Sequence, residues 1–285
     1  MTIKSIVGID HAVVAVKDLD AAAESWKRLG FTISPRGTHS APMGTGNYTI
    51  MLGEDYIELS GVLTATDHNA ATRTFLERTG GGIERIAFTT PDAAAGAAEI
   101  RGMGYAAIGP TDFERPVTMP DGSQSAAKFS AFFWPADETP GGIGLFACQH
   151  KTRETVWIPQ LQEHANTATR IARVFIVSPA PDDDARQLSR MIDGAARTQA
   201  DGSVVVPTGS TRADLVFLTR DTLGRQFPGV SLAGLPERGG ACLELLVNDL
   251  AAAQRAAGAA ALASKDAVVV PPVSASGVML AFVAW

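Results

Sequence analysis

A repeated pattern of roughly fifty residues constrains the fold of this chain more than any other feature of its sequence. An apolar stretch that contains His11 leads into Asp18 at the start of a helix, and a later apolar stretch carries Glu58. A weaker copy begins at Arg85, which stands as far before Asp92 as His11 stands before Asp18. The repeat predicts that one small strand–helix unit is used several times, and it indicates where a ligand could bind.

The length of 285 residues is sufficient for two domains of ordinary size. A content of 46% hydrophobic and 19% charged residues is typical of a globular protein. The net charge of -6 argues against nucleic acid as a partner, and no apolar run is as long as a membrane span. The first residues lack a secretory signal pattern. We therefore expect a cytoplasmic protein that binds a small molecule, without a membrane partner.

The first unit has the order β-α-β-β-β. Its predicted elements are a strand over 5–16, a helix over 21–29 that begins after Asp18 and ends at Gly30, and strands over 31–35, 47–53 and 55–60. Glycines supply the turns between the strands. A connecting helix is predicted over 70–78.

Three further units repeat this pattern, with two predicted strands after the helix in the third and the fourth. The second has a helix over 93–102, strands near 105–109, 126–134 and 143–149, and a long loop over 112–125. The third has a strand over 170–178, a helix over 182–192 and strands near 203–206 and 213–219. The fourth starts at Ala241 and has a helix over 250–262 and strands near 267–271 and 277–284.

Each unit forms a sheet with one apolar face that another element must bury, so the units are expected to pair. The prediction is an α+β fold of four βαβββ units in two halves, residues 1–155 and residues 165–285. A doubly wound sheet is excluded, because the strands run in groups of three without intervening helices. The two cysteines, Cys148 and Cys242, are too few for a disulfide framework and are expected to be reduced and buried.

Several motifs in the first 170 residues resemble one known superfamily. The motifs are Ile-Asp-His11-Ala-Val-Val-Ala-Val-Lys-Asp-Leu-Asp20, Gly37-Thr-His39-Ser-Ala-Pro-Met-Gly44-Thr45-Gly-Asn47, Tyr56-Ile-Glu58-Leu, Phe146-Ala-Cys148-Gln149-His150, Trp157 and His164-Ala-Asn166. They are similar to the vicinal oxygen chelate superfamily, which contains glyoxalases, extradiol dioxygenases and bleomycin-resistance proteins. More narrowly, they resemble a glyoxalase-like subfamily.

The resemblance implies that paired units curl into half-barrels with a divalent metal on the concave face. In that superfamily the ligands come from the first and fourth strands, positions that correspond here to His11 and Glu58. Fe, Mn, Ni, Co or Zn would suit such donors. The second unit departs from the pattern: Arg85 replaces a histidine, and Phe146, Cys148 or Gln149 stands near the expected carboxylate. A metal would therefore need a further ligand from His39, Cys148 or His150.

The individual candidates each have a functional and a structural interpretation. Glu58 and His39 are the catalytic candidates, and the substrate-binding candidates are Arg85, Thr45, Asn47, Cys148 and His150. Arg85 could bind a substrate carboxylate bidentately, or it could simply pair with a neighbouring glutamate. His11 could be a core residue and His39 an exposed turn residue. His164 and Asn166 are expected to fasten the connection between the halves.

Three functions remain open for the first half. The leading hypothesis is metal-assisted chemistry of the isomerase, lyase or dioxygenase type on a small, oxygenated, anionic metabolite. The second is a metal-free protein that sequesters a small molecule. The third is a metal-independent enzyme with His11 or His39 as base and Glu58 as the orienting group. The second half, which lacks a recognisable ligand set, is expected to have a structural or oligomerising role, and a homodimer is left open.

Overall fold

The computed structural model describes residues 4–284 and contains the βαβββ unit four times. The first unit consists of β1 (Gly8–Val16), α1 (Leu19–Arg28), β2 (Gly37–Thr38), β3 (Thr45–Met51) and β4 (Tyr56–Val62). After α2 (Ala70–Thr79), the second consists of β5 (Gly81–Thr89), α3 (Ala93–Gly102), β6 (Ile108–Thr118), β7 (Gln124–Phe133) and β8 (Gly144–His150). The α+β class and the repeat predicted from the sequence are confirmed.

The second half repeats the same order. The third unit consists of β9 (Ala168–Val177), α4 (Pro181–Ile192), β10 (Arg197–Thr198), β11 (Val204–Val206) and β12 (Asp214–Leu218), and α5 (Arg220–Gln226) follows it. The fourth consists of β13 (Gly239–Val247), α6 (Leu250–Ala257), β14 (Leu262–Ser264), β15 (Ala267–Val270) and β16 (Met279–Val283). Within residues 4–284, no helix combines the length and the apolar composition needed to cross a membrane.

An aspartate begins the main helix in three of the four units. The side chains of Asp18, Asp92 and Asp249 each accept a hydrogen bond from the backbone N–H three residues later. Such a contact satisfies one of the N–H groups that a helix leaves unpaired at its first turn. The third unit instead places Pro181 in the first turn, where no N–H is needed. The repeated aspartate is the sequence signal that made the units recognisable.

The structure corrects three of the predicted elements. Residues 31–35 are not a strand, and the first unit has the short strand β2 just after them instead. Most of the predicted loop over 112–125 belongs to β6 and β7, which form a long hairpin. Pro116 is tolerated in β6 because that strand pairs with β7 alone and lies at an edge. The last helix ends at Ala257, since Gly258 follows it.

All sixteen strands of the described residues belong to one curved, unclosed sheet. In each half, the first strands of the two units pair antiparallel, β1 with β5 and β9 with β13. Each first strand also pairs in parallel with the last strand of its own unit, as β1 does with β4 and β9 with β12. This arrangement curls each half into a cup, which we call the first cup and the second cup.

The two halves pack closely against one another. A single ladder pair, Gly240 with Ile83, continues the sheet from β13 to β5, and one apolar core includes side chains from all four units. His164 bonds to the backbone of Thr32 and Met51, so it fastens the connection as expected. That each half is a domain in its own right stays a prediction.

The carboxylate of Asp55 is buried where the first half meets β9, and it accepts hydrogen bonds from the backbone N–H of Ile171 at 3.1 and 3.2 Å. Burial raises the pKa of Asp55 from 3.8 to about 7, although the Ile171 N–H and the charge of Arg212 act in the opposite direction. Because the protonated carboxyl is favoured in the folded state, Asp55 contributes stability below its unfolded pKa. That contribution is lost as the pH rises through the pKa that Asp55 has in the folded protein.

We expect the Asp55→Asn variant to lose less stability than the wild type between pH 5 and pH 8. The amide keeps an acceptor for the Ile171 N–H but cannot ionise. The loss in free energy of unfolding between the two pH values should therefore be smaller in the variant than in the wild type, by on the order of 1–3 kcal/mol. Urea unfolding of both proteins at the two pH values measures it. Parallel pH dependences would show that Asp55 ionises freely in the folded protein.

Candidate functional site

The first cup encloses a cavity of about 380 Å³. Its lining includes the sequence candidates His11, His39, Thr45, Asn47, Glu58, Arg85 and Cys148. Phenylalanines line the same cavity, so it combines polar groups with a large apolar surface. A largely apolar cavity with a few convergent polar groups is the usual form of a small-molecule site.

His11 is buried in β1, with its imidazole between two carboxylates. Its Nδ1 lies 2.7 Å from Oδ2 of Asp10, and its Nε2 lies 3.4 Å from Oε2 of Glu58. Neighbouring residues of a regular strand point to opposite faces. Here the register with β5 shifts between Ile9 and His11, and this bulge lets the side chains of Asp10 and His11 meet.

Asp10 is fully buried and holds three hydrogen bonds. Its Oδ2 also accepts from Nε2 of His150 at 2.9 Å, and its Oδ1 accepts from the hydroxyl of Thr89 at 2.8 Å. Burial alone would raise the pKa of Asp10, but the charge of His150 and the bonds from both imidazoles outweigh it and lower the pKa. The ionised Asp10 therefore accepts the Nδ1–H of His11 and leaves Nε2 directed towards Glu58.

Glu58 lies on β4, which pairs with β1, and its carboxylate reaches the cavity wall. Its Oε1 accepts a hydrogen bond from the amide of Asn47 at 2.9 Å. Burial by itself would raise the pKa of Glu58, yet the charges of His11 and His39 and the bond from Asn47 lower it. Gly37 leaves room for Asn47, because a Cβ at that position would lie 2.2 Å from the Asn47 Oδ1.

Two aromatic rings fix the position of the His11 imidazole. The ring of Tyr56 stacks on it with centroids 4.2 Å apart, and the ring of Phe146 meets it edge-on at 5.3 Å. Burial raises the pKa of Tyr56 well above 10, so its hydroxyl stays protonated beside His11. The same effect raises the pKa of the Cys148 thiol, which lines the cavity uncharged.

His39 lies next to Glu58 at the rim of the first cup. Its Nδ1 is 2.8 Å from the hydroxyl of Thr45, and its backbone N–H donates a hydrogen bond to the carbonyl of Thr45. Burial lowers the pKa of His39 from 6.5. The charge of Glu58 acts to raise this pKa, whereas the charges of Arg115 and Arg85 act to lower it further. The imidazole is therefore neutral at physiological pH.

Arg85 brings a positive charge into the cavity from β5. Its guanidinium contacts Glu84 at 3.1 Å, and its Nε is buried without a hydrogen-bond partner among the described residues. Gly144 faces it from β8, and a Cβ there would lie 2.6 Å from the Arg85 Cγ. The strand pairing thus reserves space for this side chain.

The structure brings most of the predicted site residues together, but it places His150 elsewhere. His150 does not line the cavity; it lies behind His11, where it bonds to Asp10 and packs against Trp157. Sequence reasoning missed Asp10, although a carboxylate inside an apolar strand is costly to bury and so signals a partner. It also missed Arg115, which lines the cavity from the hairpin that was predicted as a loop.

A divalent metal is only partly supported by these side chains. Nε2 of His11 and Oε2 of Glu58 are close enough to share a cation, and Asp10 orients His11 as carboxylates orient metal-bound histidines. The positions that face them carry Arg85, a cation, and Phe146, a hydrocarbon ring. His39 and Cys148 line the same cavity, but the described residues of its lining hold no group of three ligand atoms within 4.8 Å of one another. Two ligand atoms do not complete a tightly bound site.

A second group of ligand atoms is also possible in principle. Asp10, His11 and His150 offer one atom each within 4.8 Å of one another. Those atoms already hydrogen-bond to each other at 2.7 and 2.9 Å, and neither Asp10 nor His150 lines the cavity. A metal would have to replace both hydrogen bonds. The residues present therefore do not fit a resident metal at either place.

The fold and the cavity define an α+β protein in which tandem βαβββ units form cups around small-molecule sites. The sequence pattern of the family described as "Glyoxalase-like domain" matches residues 9–192, well over half of the chain. The chain belongs to this glyoxalase-like family, as its motifs predicted. A comparison with curated proteins found no match.

Solved structures show the same fold at low sequence identity. A hypothetical protein from Staphylococcus aureus is 14% identical with a TM-score of 0.70, over 97% of this chain and 99% of that one. A mutant of 4-hydroxymandelate synthase from Streptomyces coelicolor is 13% identical with a TM-score of 0.61, over 98% and 93%. Methylmalonyl-CoA epimerase from Mycobacterium tuberculosis is 22% identical over 52% and 92%, with a TM-score of only 0.40. At these identities the first two structures show the fold and not the reaction, and the epimerase, with its lower TM-score, carries no argument.

We expect Asp10→Asn to destabilise the protein by about 3 kcal/mol at pH 7, because it leaves two buried imidazoles without their carboxylate. Since the folded pKa of Asp10 is lowered, its contribution is present above the unfolded value of 3.8 and is lost as the pH falls. Urea unfolding measures the change. Asp112→Asn, at an exposed carboxylate that pairs with Lys151, is the matched control and should have almost no effect. Equal stabilities of Asp10→Asn and the wild type would contradict the assigned network.

We expect the protein to hold no stoichiometric metal when it is purified without chelators or affinity metals, because the described residues of the cavity lining hold no group of three ligand atoms within 4.8 Å of one another. Elemental analysis after incubation with Fe(II), Mn(II), Ni(II), Co(II) or Zn(II) tests this. About one ion per chain, lost in both His11→Ala and Glu58→Ala, would instead establish a metal site.

Proposed function

We propose that the chain is a metal-independent acid–base enzyme of the isomerase or lyase type. It moves a proton on a small, oxygenated, anionic metabolite bound in the first cup. The observation that carries the proposal is the row of Asp10, His11 and Glu58, in which an imidazole lies between two carboxylates at the wall of a cavity.

His11 is the proton-transfer residue in this proposal. Asp10 accepts the Nδ1–H, which directs Nε2 to the side of Glu58 and the cavity. When Nε2 takes a proton from the substrate, the imidazolium that forms lies between two negative charges, and both stabilise it. The same nitrogen can then return the proton to another atom of the substrate, which gives an isomerisation, or to a leaving group, which gives an elimination.

Glu58 and His39 have supporting roles. The lowered pKa of Glu58 keeps it ionised at neutral pH, so it stabilises the charged imidazole and orients it rather than storing the proton. His39 is neutral because burial lowers its pKa, and it lies beside Glu58 at the rim. It is therefore suited to donate a hydrogen bond to an oxygen of the substrate.

The charges of the cavity favour an anionic substrate. Arg85 and Arg115 both line it together with Glu58, and Arg85 also pairs with Glu84, which lies outside the lining. A guanidinium binds a carboxylate through two parallel hydrogen bonds. The buried Nε of Arg85 lacks a partner among the described residues, and a substrate oxygen would satisfy it.

The phenylalanines of the cavity lining favour a substrate that carries an apolar group beside its carboxylate. Phe113 stacks on Phe129 with centroids 5.1 Å apart, and Phe133 stacks on Phe146 at 5.2 Å. All four rings line the cavity, and the long hairpin of β6 and β7 carries three of them. A flat apolar or aromatic group would bury its surface there while its carboxylate reaches the arginines.

Phenylpyruvate is a suitable first probe, because it combines a carboxylate, a carbonyl group, an acidic C–H bond and an aromatic ring. We expect the protein to accelerate the exchange of its C3 protons in D2O, followed by NMR. His11→Asn should slow this exchange about 100-fold or more, which is the usual contribution of a positioned acid–base group. Arg85→Met should mainly raise KM. Arg186→Met is the control, because Arg186 is exposed and pairs with Asp183 on α4.

Three results would contradict the proposal. Tight binding of carboxylates that depends on Arg85, without exchange or turnover, would indicate a sequestering protein. Exchange that appears only after a divalent metal is added would restore the metal-assisted hypothesis. Equal rates for the His11→Asn variant and the wild type would remove His11 from the chemistry.

A further inference from the structure

The strands of the first cup curl so far that its two edge strands meet. In the order of their pairing these strands are β6, β7, β8, β5, β1, β4, β3 and β2. Within residues 4–284 the edge strands β6 and β2 share no ladder, but a Cβ on Gly37 of β2 would lie 3.4 Å from Cδ of Arg115 on β6. Strands that curl round in this way enclose a space for one small ligand.

The two arginines of the cavity stand on opposite sides of this curl. Arg115 lies at the seam where β6 approaches β2. Arg85 lies on β5, three strands away from β6 in one direction and four strands away from β2 in the other. Because adjacent strands are about 4.8 Å apart, β5 is about as far from the seam as the curl allows.

The proposed reaction centre lies between the two arginines. The strands that follow β5 towards the seam are β1 and β4, which carry His11 and Glu58. Nε2 of His11 and Oε2 of Glu58 lie 3.4 Å apart, and both side chains line the cavity. A substrate that reaches from Arg85 to Arg115 therefore passes beside this pair.

The guanidinium of Arg115 has no ion pair or hydrogen bond with any described residue. Among the described residues of the lining, Glu58 is the one carboxylate, and its two oxygens are directed to Asn47 and His11. Arg85 differs, because it already pairs with Glu84. A buried or half-buried charge is stabilised by a partner, so a ligand that supplies an anionic group to Arg115 gains from that contact.

The charge of Arg115 acts on the inside of the cup. Burial lowers the pKa of His39 and raises that of Tyr56, and in both residues the charge of Arg115 acts to lower the pKa. Both side chains line the cavity, and the ring of Tyr56 stacks on His11. The guanidinium therefore faces the reaction centre rather than the outer surface of the hairpin.

Phenylalanines line the other arc of strands between the two arginines. Phe113 lies on β6, Phe129 on β7 and Phe146 on β8, and all three line the cavity. A ligand that extends from one arginine to the other would bury its middle against these rings. An apolar or aromatic middle is therefore favoured.

We propose that the substrate of the first cup is a dicarboxylate with an apolar middle, and that Arg115 determines this specificity. Arg85 binds the carboxylate near the reacting C–H bond, and Arg115 binds the second carboxylate at the far end. A carboxylate that forms two parallel hydrogen bonds with one guanidinium uses both of its oxygens, so the second guanidinium requires a second anionic group. One guanidinium matches the single charge of a carboxylate, whereas a phosphate carries nearly two. This substrate class rests on the proposed function, because it concerns the same cavity.

The binding of three probes that lack the reactive carbonyl group tests this specificity. The first is 3-phenylpropionate, the second is 3-(4-carboxyphenyl)propionate, and the third is 3-(4-carbamoylphenyl)propionate, which replaces the added carboxylate by an uncharged group of similar size. Isothermal titration calorimetry on the full chain at pH 7.5 gives the dissociation constants. We expect the dicarboxylate to bind about tenfold more tightly than the other two, the effect of one charge-assisted contact.

Three variants assign the contact to its residue. Arg115→Met should remove the preference for the dicarboxylate and leave the affinity for 3-phenylpropionate unchanged. Arg85→Met should weaken the binding of all three probes. Lys128→Met is the matched control, because Lys128 lies on the same hairpin, pairs with Glu114 and does not line the cavity. Thermal unfolding of each variant confirms that it is folded.

Equal affinities of the wild type for the three probes, or no binding of any of them up to millimolar concentration, would overturn the dicarboxylate class. A preference that survives in Arg115→Met would remove Arg115 from the recognition. Equal weakening of 3-phenylpropionate and the dicarboxylate in that variant would show that both arginines hold one carboxylate.

The outcome is separate from that of the proton-exchange experiment, because binding of these probes requires no reaction. A preference for the dicarboxylate that depends on Arg115, without exchange of the phenylpyruvate protons, would overturn the proposed reaction and support the second contact. Exchange of phenylpyruvate without any preference for the dicarboxylate would support the reaction and overturn the second contact.

Discussion

Both cups depend on the antiparallel pairing of first strands, β1 with β5 and β9 with β13. On its other side, β1 pairs with β4 and β9 pairs with β12. Each row of side chains therefore runs across three adjacent strands, two from one unit and one from the next. A unit alone would expose one face of its sheet, and pairing covers that face while it creates a concave surface. The rows of side chains at the bases of the two cups are a direct result of this pairing.

The buried carboxylate of Asp10 decides what the first cup can do. A charge without water is tolerated only with partners, and two imidazoles and a hydroxyl surround this one. The result is a histidine of fixed orientation opposite a second carboxylate. With Arg85 and Phe146 on the facing strands, this arrangement is the basis of the proposed proton transfer on an anion.

The sequence predicted the repeat well because its signals are local. A helix that begins at an aspartate, an apolar strand before it and glycine turns after it can be read without knowing any long-range contact. The hairpin of β6 and β7 was missed because Pro116 within a segment argues against a strand, and only the position at the sheet edge removes that objection. Arg115 was missed for the same reason. His150 was misplaced because the end of a strand does not show which side of a wall its last residue occupies.

The sequence by itself determined the number and order of the units, the α+β class and the family, along with His11, Glu58 and Arg85 as residues that face one cavity. Those properties follow from local patterns and from the parallel pairing of the first and last strands of a unit. Only the tertiary structure decided that Asp10 turns towards His11, because a bulge in the pairing of two distant strands overrides the alternation of a regular strand. Only it also showed that Arg85 and Arg115 line one cavity from different strands, since the hairpin that carries Arg115 is held in place by the pairing of β7 with β8.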